Sequence, residues 1–468
     1  MISHDALFQK HIHLVGIGGT GMSAIAQVLL ERGCIVSGSD QVESPAVAQL
    51  RSQGVQIHIG HAASWIAGAD IVAISSAIRD DNPEVVAARA QGIPVLKRSA
   101  FVGELMAGHY GIAVAGTHGK TTTTALIAFI LSEAGLSPSF IIGGVSRNLG
   151  TNARAGSGPH FVIEADEYDR MFLGLSPDLA IVTNLEMDHP DCYSCIEELT
   201  DTFAAFLRRV PPNGHIIAGG DERRTREMLM ELELQDRKVE TYGFAPDADW
   251  RATEVEPNRV GGHTFSAWHE RTALGPFELQ VPGIHNVLNA LAAIAAATEV
   301  GVGTSNIQDA LARFAGTARR FEHKGTESGV IVIDDYAHHP TEIRATLAAA
   351  KVRYSGAAIW AMFQPHTYSR FRVLLPDFAR SFALADHVIV TDIFASREHD
   401  SAGVHAQSII SMMDHPDAHY IPEFAEVVGY LAGHVRPGDV CITLGAGDGY
   451  LIGEQLLDAL RENPLNAD

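Results

Sequence analysis

The loop at residues 116–121 constrains the fold more than any other part of the chain. A short apolar run over 112–115 leads into Gly116-Thr117-His118-Gly119-Lys120-Thr121, and three more threonines and an apolar helical pattern follow. Strand, glycine loop and helix in that order are typical of a phosphate-binding loop, where backbone amides and the helix N-terminus hold the phosphates. A lysine then reaches the outer phosphates and a hydroxyl contacts Mg²⁺. The sequence therefore predicts a nucleotide-binding α/β domain.

The spacing of this loop differs from that of a Walker A motif. Only Thr117 and His118 separate the two glycines, whereas a Walker A motif has four residues there. A threonine-rich cap on an ordinary helix is the alternative interpretation. Because Gly-Lys-Thr comes directly after a predicted strand, phosphate binding is favoured, and we expect residues Gly116 to Thr122 to contact the phosphates of a nucleotide.

A second glycine loop lies near the N-terminus. A strand pattern over 11–15 runs into Gly16-Ile17-Gly18-Gly19-Thr20-Gly21, and Asp40 ends a second strand about 20 residues further on. This is the dinucleotide-binding fingerprint. Such a loop recognises a pyrophosphate and not the group attached to it, so a nicotinamide, a flavin and a UDP-sugar are all compatible. Ser75 and Ser76 follow a later strand, where they are equally consistent with ligand contacts and with a turn.

Polar residues follow two strands downstream of the lysine loop. Glu164-Ala165-Asp166-Glu167 ends the strand over 161–163, as a carboxylate that holds Mg²⁺ would, and this position favours Glu164 or Asp166 over a solvated loop. Asp188-His189 follows the strand over 180–182 and is a candidate for metal or phosphate contact. Asn286 and Asn289 are three residues apart on a predicted helix and share one face. They could read an adenine edge, or cap and pack.

The last third of the chain contains two more polar clusters at predicted strand ends. Residues 334–339 place two aspartates, Tyr336 and two histidines between a strand and a helix that starts at Pro340. Residues 364–370, which end in Arg370, follow the next strand. These positions are typical of an active site in a doubly wound sheet.

Length and charge limit the class of protein. The 468 residues are enough for about three domains. The net charge of −22 argues against nucleic-acid binding, because phosphate backbones would be repelled. Four cysteines are too few for a disulfide framework, the Cys192–Cys195 pair lacks a zinc or redox context, and no signal peptide or membrane span is visible. We expect a cytoplasmic protein, monomeric or weakly dimeric, without membrane insertion.

These motifs, in this order, resemble the Mur ligase family, and within it the branch that adds L-alanine. The resemblance covers essentially the whole chain. It rests on residues 16–23, 116–124, 164–169, 183–189, 285–289, 334–342 and 364–370. It implies three α/β domains: a Rossmann-like UDP-sugar domain over 1–108, a P-loop-type ATPase domain with a mostly parallel sheet over 109–317, and a Rossmann-like domain over 318–468 that closes over ATP and the amino acid.

The resemblance also implies site residues. Lys120 and Thr121 would serve the ATP phosphates and a first Mg²⁺, shared with Glu164, and His189 would bind a second Mg²⁺. Catalysis would then depend on Lys120, Glu164, His189, His338 and Arg370. The nucleoside and phosphates of ATP would meet Asn286, Asn289, Arg320 and Asp335. The UDP-sugar would meet Gly16, Gly18, Gly19, Gly21, Met22, Ser23, Asp40, Ser75 and Ser76, and the amino acid would meet Tyr336, His338 and Arg370.

The implied reaction joins L-alanine to the carboxylate of UDP-N-acetylmuramate through an acyl phosphate, with ATP and Mg²⁺, in peptidoglycan synthesis. Two departures from the family pattern occur: Thr367 stands where some members have Arg, and no carbamylated lysine follows His189. A recycling ligase that adds a tripeptide to the same sugar nucleotide is the nearest alternative. A nicotinamide-dependent dehydrogenase would leave the lysine loop unexplained, and a non-catalytic nucleotide-binding module would not need the polar clusters of the last domain.

Overall fold

The computed structural model describes residues 9–396, 398 and 403–465, which form three sheets that follow one another along the chain. Helices alternate with strands in all three regions, so the α/β class predicted from the sequence is confirmed. The boundaries expected at 108 and 317 fall in the connections between Met106 and Tyr110 and between Arg313 and Glu322. Short 3₁₀ segments lie at Ala63–Ile66, Tyr168–Gly174 and Ala406–Met412.

The N-terminal sheet has the topology of a dinucleotide-binding domain. Its elements are β1 (His11–Val15), α1 (Thr20–Glu31), β2 (Ile35–Asp40), α2 (Pro45–Ser52), β3 (Gln56–Ile59), β4 (Ile71–Ile74), α3 (Pro83–Ala90), β5 (Val95–Lys97) and α4 (Arg98–Met106). The five strands are parallel, in the order β3-β2-β1-β4-β5. The order reverses between β1 and β4, and open α/β sheets bind ligands beyond the carboxyl ends of such a strand pair.

The central region contains a ten-stranded sheet. Its elements are β6 (Tyr110–Ala115), α5 (Lys120–Glu133), β7 (Ser139–Ser146), β8 (Thr151–Arg154), β9 (His160–Glu164), β10 (Leu179–Val182), α6 (Ile196–Leu207), β11 (His215–Gly219), α7 (Arg223–Glu231), β12 (Lys238–Gly243), β13 (Trp250–Pro257), β14 (His263–His269), β15 (Thr272–Leu279), α8 (Ile284–Glu299) and α9 (Thr304–Arg313). The strand order is β15-β14-β13-β12-β11-β10-β6-β9-β7-β8.

The arrangement of this sheet brings three loops together. The strands from β13 to β7 are parallel, and antiparallel strands border them on both sides. Strand β6 lies between β9 and β10, so the loops that follow these three strands meet at one edge. Helices α5 and α8 are buried on nearly all sides, and their apolar residues lie in one hydrophobic core. This burial anchors the helix that begins at the lysine loop.

The C-terminal region contains a six-stranded sheet. Its elements are β16 (Glu322–Glu327), β17 (Val330–Asp335), α10 (Pro340–Arg353), β18 (Ile359–Phe363), α11 (Tyr368–Ala379), β19 (His387–Val390), β20 (Ala418–Tyr420), α12 (Phe424–His434), β21 (Val440–Leu444) and α13 (Tyr450–Glu462). The order is β16-β17-β21-β18-β19-β20, with only β16 antiparallel to its neighbour. Its two hydrophobic cores contain alternate side chains of these strands. Among the described residues, none of the helices combines the length and the apolar character needed to cross a bilayer.

Candidate active site

The lysine loop connects the end of β6 with the start of α5. Gly116 and Gly119 have positive φ angles of 131° and 82°. A Cβ on Gly116 would lie 1.9 Å from Thr183 Oγ1, and a Cβ on Gly119 would lie 2.4 Å from Asn289 Oδ1. Both positions therefore require glycine, for backbone conformation and for close packing. The resulting turn leaves the N-terminus of α5 directly behind the loop, where it favours an anion.

Lys120 is held against this loop. Its Nζ donates hydrogen bonds to the carbonyl oxygens of Gly116 at 2.6 Å and Thr117 at 3.0 Å, and to Glu167 Oε1 at 2.8 Å. Burial lowers the pKa of Lys120, but the charges of Glu167 and Asp166 outweigh it, and the pKa is raised overall. The ammonium group therefore stays charged beside the loop.

Thr121 and Glu164 form a pair that suits a hard cation. Thr121 Oγ1 donates to Glu164 Oε1 at 3.1 Å, and the backbone N–H of Gly143 donates to Glu164 Oε2 at 2.7 Å. Burial raises the pKa of Glu164, so the ionised form gains from a cation at this point. A hydroxyl and a carboxylate are donors that Mg²⁺ prefers. The residues present therefore fit the ion that the sequence predicts.

Glu167 and His189 lie next to this pair. Glu167 is 1% exposed, and its Oε1 lies 3.7 Å from His189 Nε2. Its Oε2 is buried and has no hydrogen-bond partner among the described residues. His189 has a φ of 52°, a left-handed conformation that costs a residue other than glycine about 1–3 kcal/mol. An unpartnered buried oxygen beside a strained histidine is typical of a functional site.

His118 connects the central and C-terminal sheets through two carboxylates. Its Nε2 bonds Glu186 Oε2 at 2.9 Å and its Nδ1 bonds Glu342 Oε1 at 3.1 Å. A carboxylate only accepts, so both ring nitrogens carry protons. Burial lowers the pKa of His118, but its hydrogen bonds to Glu186 and Glu342 outweigh this effect and raise the pKa to about 9. Thr341 Oγ1, in the first turn of α10, donates to Glu186 Oε1 at 2.8 Å. Glu186, in the loop after β10, therefore also joins the central and C-terminal domains.

Three side chains at this contact between the sheets are of types that can bind a metal ion. Ligand atoms of His118, Glu186 and His339 lie within 4.8 Å of one another. Because His118 is an imidazolium, neither of its ring nitrogens has a lone pair to offer. His339 Nδ1 accepts from the backbone N–H of Thr341 at 3.3 Å and caps α10. This group is therefore a structural hydrogen-bond network.

Arg370 forms the second charged contact between these sheets. Its Nε donates to Asp188 Oδ1 at 2.7 Å, its Nη1 donates to the carbonyl of His366 at 2.8 Å, and it is 4% exposed. Burial raises the pKa of Asp188, but Arg370 outweighs it and holds the pKa well below its usual range. The sequence assigned Arg370 to the amino-acid carboxylate. The structure adds a protein carboxylate as its partner, and the substrate role stays a prediction.

His338 and Tyr336 follow β17 as expected. His338 Nδ1 bonds the carbonyl of Tyr336 at 2.8 Å, so Nδ1 carries the proton and Nε2 is left as an acceptor. Burial lowers the pKa of His338 to about 3, and the ring is neutral. The ring of Tyr336 faces the guanidinium groups of Arg319 and Arg320 at 5.0 Å and 5.1 Å.

A cavity of about 270 Å³ lies between the central and C-terminal sheets, beside the lysine loop. It is lined by Asn286, Asn289, Arg320 and Asp335, so the residues that the sequence assigned to ATP lie together. Its volume is near the lower end of small-molecule sites, about 300–1,000 Å³. Two backbone N–H groups donate to Asp335 at 2.9 Å each, while burial raises its pKa to about 6.

The N-terminal glycine loop holds the acidic residue of its own fingerprint. The N–H of Gly18 donates to Asp40 Oδ2 at 2.8 Å, so Asp40 fixes the loop. Gly16 has a φ of 80°, and a Cβ there would lie 2.8 Å from Ser75 Oγ. The backbone carbonyl of Ser75 accepts from the N–H of Ile78 at 3.1 Å, so Ser75 is a turn residue whose hydroxyl faces the loop.

Other residues assigned to the UDP-sugar have different surroundings. The side chain of Met22 is 2% exposed and lies in the hydrophobic core, which leaves only its backbone near the loop. Ser23 Oγ donates to the carbonyl of Thr20 at 3.1 Å, and Ser76 is exposed. Gly19 directly precedes α1, and Gly21 lies in its first turn. Their roles as substrate contacts stay predictions.

Arg98 is a candidate functional residue that sequence reasoning missed. It begins α4, and its Nη2 donates to Asp166 Oδ2 at 3.2 Å. A Cβ on Gly21 would lie 2.3 Å from Arg98 Nη1, and Arg98 Nε is buried without a hydrogen-bond partner among the described residues. A cation therefore lies between the N-terminal glycine loop and the central acids. No motif marks a lone arginine at a helix start, so only the fold reveals it.

Comparisons with known proteins agree with this arrangement. Three family models match successive parts of the chain: "Mur ligase family, catalytic domain" over 11–110, "Mur ligase middle domain" over 114–297 and "Mur ligase, glutamate ligase domain" over 319–447. A UDP-N-acetylmuramate–L-alanine ligase of Alkaliphilus metalliredigens (strain QYMF) is 45% identical over 451 residues, which cover 96% of this chain and 97% of the relative.

Solved structures give the same class. The crystal structure of UDP-N-acetylmuramate-alanine ligase from Thermotoga maritima matches with a TM-score of 0.81 and 30% identity, over 97% of this chain and 99% of that one. A murein peptide ligase from Psychrobacter arcticus 273-4 matches with a TM-score of 0.72 and 27% identity, over 98% and 100% of the two chains. The chain belongs to the Mur ligase family.

Proposed function

We propose that the chain is an ATP-dependent ligase that joins L-alanine to the carboxylate of UDP-N-acetylmuramate, a cytoplasmic step of peptidoglycan synthesis. The relatives that carry this name match nearly its whole length. In our division of the chain, residues 1–108 bind the UDP-sugar, 109–317 bind ATP, and 318–468 close over ATP and the amino acid. A monomer or a weak dimer would be sufficient, since one chain supplies all the groups named above.

One observation carries this proposal: groups from all three sheets converge on the lysine loop. The central sheet supplies Lys120 and Glu164. The C-terminal sheet places Asp335 in the adjoining cavity. From the N-terminal domain, Arg98 at the start of α4 reaches Asp166 in the loop after β9. A dehydrogenase would need the first glycine loop alone, whereas a ligase must bring a sugar nucleotide and ATP to one acidic centre.

Amide formation requires an activated carboxylate, because a free carboxylate could expel only oxide. A carboxylate oxygen of UDP-N-acetylmuramate attacks the γ-phosphorus of ATP, the bond to ADP breaks, and an acyl phosphate forms. The amine of L-alanine then attacks the acyl carbon, phosphate leaves and the amine loses a proton. Both reactants of the first step are anions, so the step depends on cations placed beforehand.

The groups of this chain supply that positive charge. Lys120 is protonated and lies against the loop carbonyls, within reach of phosphates bound to the loop. Thr121 and Glu164 would hold a first Mg²⁺, and His189 would contribute to a second. Bound Mg²⁺ neutralises phosphate charge in such sites. Asn286, Asn289 and Arg320 would bind the nucleoside and phosphates of ATP in the cavity that they line.

His338 orients the amino acid in this mechanism. A general base works best with a pKa near the operating pH, and burial lowers the pKa of His338 to about 3. The lone pair on Nε2 can still accept a hydrogen bond from the amine of L-alanine. Tyr336 and Arg370 would complete the amino-acid pocket, with Arg370 also paired to Asp188.

The test is an assay of ADP release in which each substrate is omitted in turn. We expect ADP only when UDP-N-acetylmuramate, L-alanine, ATP and Mg²⁺ are all present, together with a product heavier by one alanine residue. Turnover that is unaffected by leaving out the sugar nucleotide or the amino acid would refute the proposal.

The second candidate is a recycling ligase that attaches a tripeptide to the same sugar nucleotide. The match to a murein peptide ligase favours it as the alternative, although the identity is lower than that to the alanine ligases. A competition between L-alanine and the tripeptide in one reaction decides between them. We expect the alanine product to dominate, and a dominant tripeptide product would reverse the assignment.

A further inference from the structure

Glu167 is a buried carboxylate that the mechanism above does not use. Its Oε1 accepts from Lys120 Nζ at 2.8 Å, and the side chain is 1% exposed. Its Oε2 is buried and has no hydrogen-bond partner in the part of the chain that the structure describes. An ion pair with Lys120 alone would use Oε1 and leave Oε2 unsatisfied. Buried polar atoms are nearly always paired, so Oε2 indicates a missing partner.

The surroundings of His189 define that partner. Its Nε2 lies 3.7 Å from Glu167 Oε1 and 3.7 Å from Asp188 Oδ2. A histidine nitrogen alone is a poor site for Mg²⁺, which prefers oxygen ligands. A second ion beside His189 therefore requires a carboxylate oxygen.

The other nearby carboxylates already have partners. Glu164 accepts from Thr121 and from the N–H of Gly143, which fixes both of its oxygens. Asp188 Oδ1 accepts from Arg370 Nε and from the N–H of His189, at 2.7 Å each, and the guanidinium balances the charge of this carboxylate. Among the described residues of this group, Glu167 Oε2 is the carboxylate oxygen that is both buried and without a hydrogen-bond partner.

We propose that Glu167 binds the second cation of the nucleotide-bound enzyme together with His189, and that its other oxygen keeps Lys120 in the phosphate loop. This inference rests on the proposed function, since the second cation requires the phosphates of ATP. His189 Nε2 lies 3.7 Å from Glu167 Oε1, so this carboxylate already lies beside the imidazole that would share the ion.

The charge balance of the site agrees with this assignment. Glu164, Asp166 and Glu167 lie within four residues of one another, and Lys120 and Arg98 are the cations in contact with them. A divalent cation would relieve this clustering of negative charge.

Binding of Mn²⁺ as a substitute for Mg²⁺ tests the assignment without turnover. The full chain is saturated with UDP-N-acetylmuramate and the β,γ-imido analogue of ATP, and free Mn²⁺ is measured by electron paramagnetic resonance during a titration. The wild type is expected to bind two ions. Glu167→Gln keeps an oxygen that can accept from Lys120 but removes the charge, so we expect the second ion to bind at least about tenfold more weakly.

The control is Asp191→Asn, which removes one negative charge two residues from His189. Asp191 is exposed and accepts from Tyr168 Oη at 3.1 Å. We expect it to bind both ions as the wild type does. Glu167→Asp keeps the charge but shortens the side chain, and we expect weakening between wild type and Glu167→Gln. Circular dichroism establishes that each variant is folded before the titration.

Four results would overturn the assignment: a single ion in the wild type, unchanged binding of the second ion in Glu167→Gln, equal weakening in Asp191→Asn, or loss of both ions together. The last would mean that Glu167 only supports the loop as a whole. L-alanine is absent from the titration, so the result for Glu167 stands apart from the amino-acid specificity. Failure of the omission assay with normal two-ion binding would instead refute the proposed reaction.

Discussion

The two glycine loops of this chain share a backbone design and differ in their charged side chains. Each connects a parallel strand with a helix, and each begins with a glycine at positive φ, Gly16 at 80° and Gly116 at 131°. The N-terminal loop contains no charged residue, and Asp40 accepts a bond from Gly18. The central loop carries Lys120 within the motif. We therefore expect glycine geometry to be sufficient to receive a phosphate in both loops, and the charged side chains of the central loop to be needed for the reaction.

The two glycine loops also differ in the contacts that they make with other domains. The central loop is bonded to the C-terminal domain through His118 and Glu342. Arg98, a cation of the same domain, lies beside the N-terminal loop and pairs with the central Asp166. We therefore expect changes in the first loop to affect affinity for the sugar nucleotide and changes in the second to affect turnover.

The largest effect is expected for Lys120→Met. In the proposed mechanism its ammonium neutralises the transferred phosphoryl group, and comparable losses lower the turnover number by about 10³-fold or more. Affinity for UDP-N-acetylmuramate, measured by calorimetry, should stay within about threefold, since we propose that this ligand binds the N-terminal loop. Lys97→Met, an exposed lysine, is the matched control and should leave both quantities unchanged. Loss of sugar-nucleotide affinity with normal turnover would invert the assignment of the loops.

The next effect is expected for Arg98→Met. Loss of a charge-assisted contact to a pyrophosphate costs about 1.5–3 kcal/mol, so the Kd for UDP-N-acetylmuramate should rise about 10- to 100-fold. Affinity for the ATP analogue should change little. Arg98→Lys restores the charge and should recover part of the loss. Equal weakening of both nucleotides would show that Arg98 acts on the interface between domains.

A smaller effect is expected from the titration of His118. Its pKa is raised from the ordinary 6.5 to about 9, so the stabilisation that it provides is complete below about pH 6.5 and is lost as the pH rises through 9. Between pH 7 and pH 10, the wild type should lose roughly 2 kcal/mol more stability than His118→Asn. Thermal unfolding at both pH values measures this, with the exposed His323→Asn as control. Equal losses of stability in the wild type and in His118→Asn would contradict a stabilising role for the bonds from His118 to Glu186 and Glu342.

The smallest effect is expected for Ser75→Ala. Its hydroxyl faces the N-terminal loop beside Gly16. A single neutral hydrogen bond contributes about 0.5–1.5 kcal/mol, so the KM for UDP-N-acetylmuramate should rise about threefold. Ser76→Ala, at the exposed neighbouring position, should have a smaller effect. A larger effect at Ser76 would reverse which serine contacts the ligand.

The sequence was most informative where function depends on local chain order. Strand, glycine loop and helix follow one another directly around Lys120, and the α/β class was confirmed. Glu164 was identified because strand ends in a parallel sheet meet at one edge, and β6 lies beside β9. Local pattern and sheet topology were enough for these predictions.

Contacts between distant residues could not be predicted. His118 and Glu342 are 224 residues apart, and no spacing rule connects them. Arg98 has no motif, and the open oxygen of Glu167 is visible only once the partners of neighbouring acids are known. Asp40 shows a further limit, because the fingerprint predicted a ligand contact and did not reveal its bond to Gly18. Which of several neighbouring acids pairs with a given donor depends on how the side chains pack in the folded protein, and local sequence patterns do not contain that information.

Transfer of an oxygen isotope tests most directly whether the central loop activates a carboxylate. UDP-N-acetylmuramate labelled with ¹⁸O in its carboxylate is incubated with ATP, Mg²⁺ and L-alanine, and the released phosphate is analysed by mass spectrometry. An acyl phosphate passes one carboxylate oxygen to the phosphate, so we predict one ¹⁸O atom in each phosphate formed from fully labelled substrate. Phosphate that carries no label, released together with the alanine product, would contradict activation of the carboxylate at this loop.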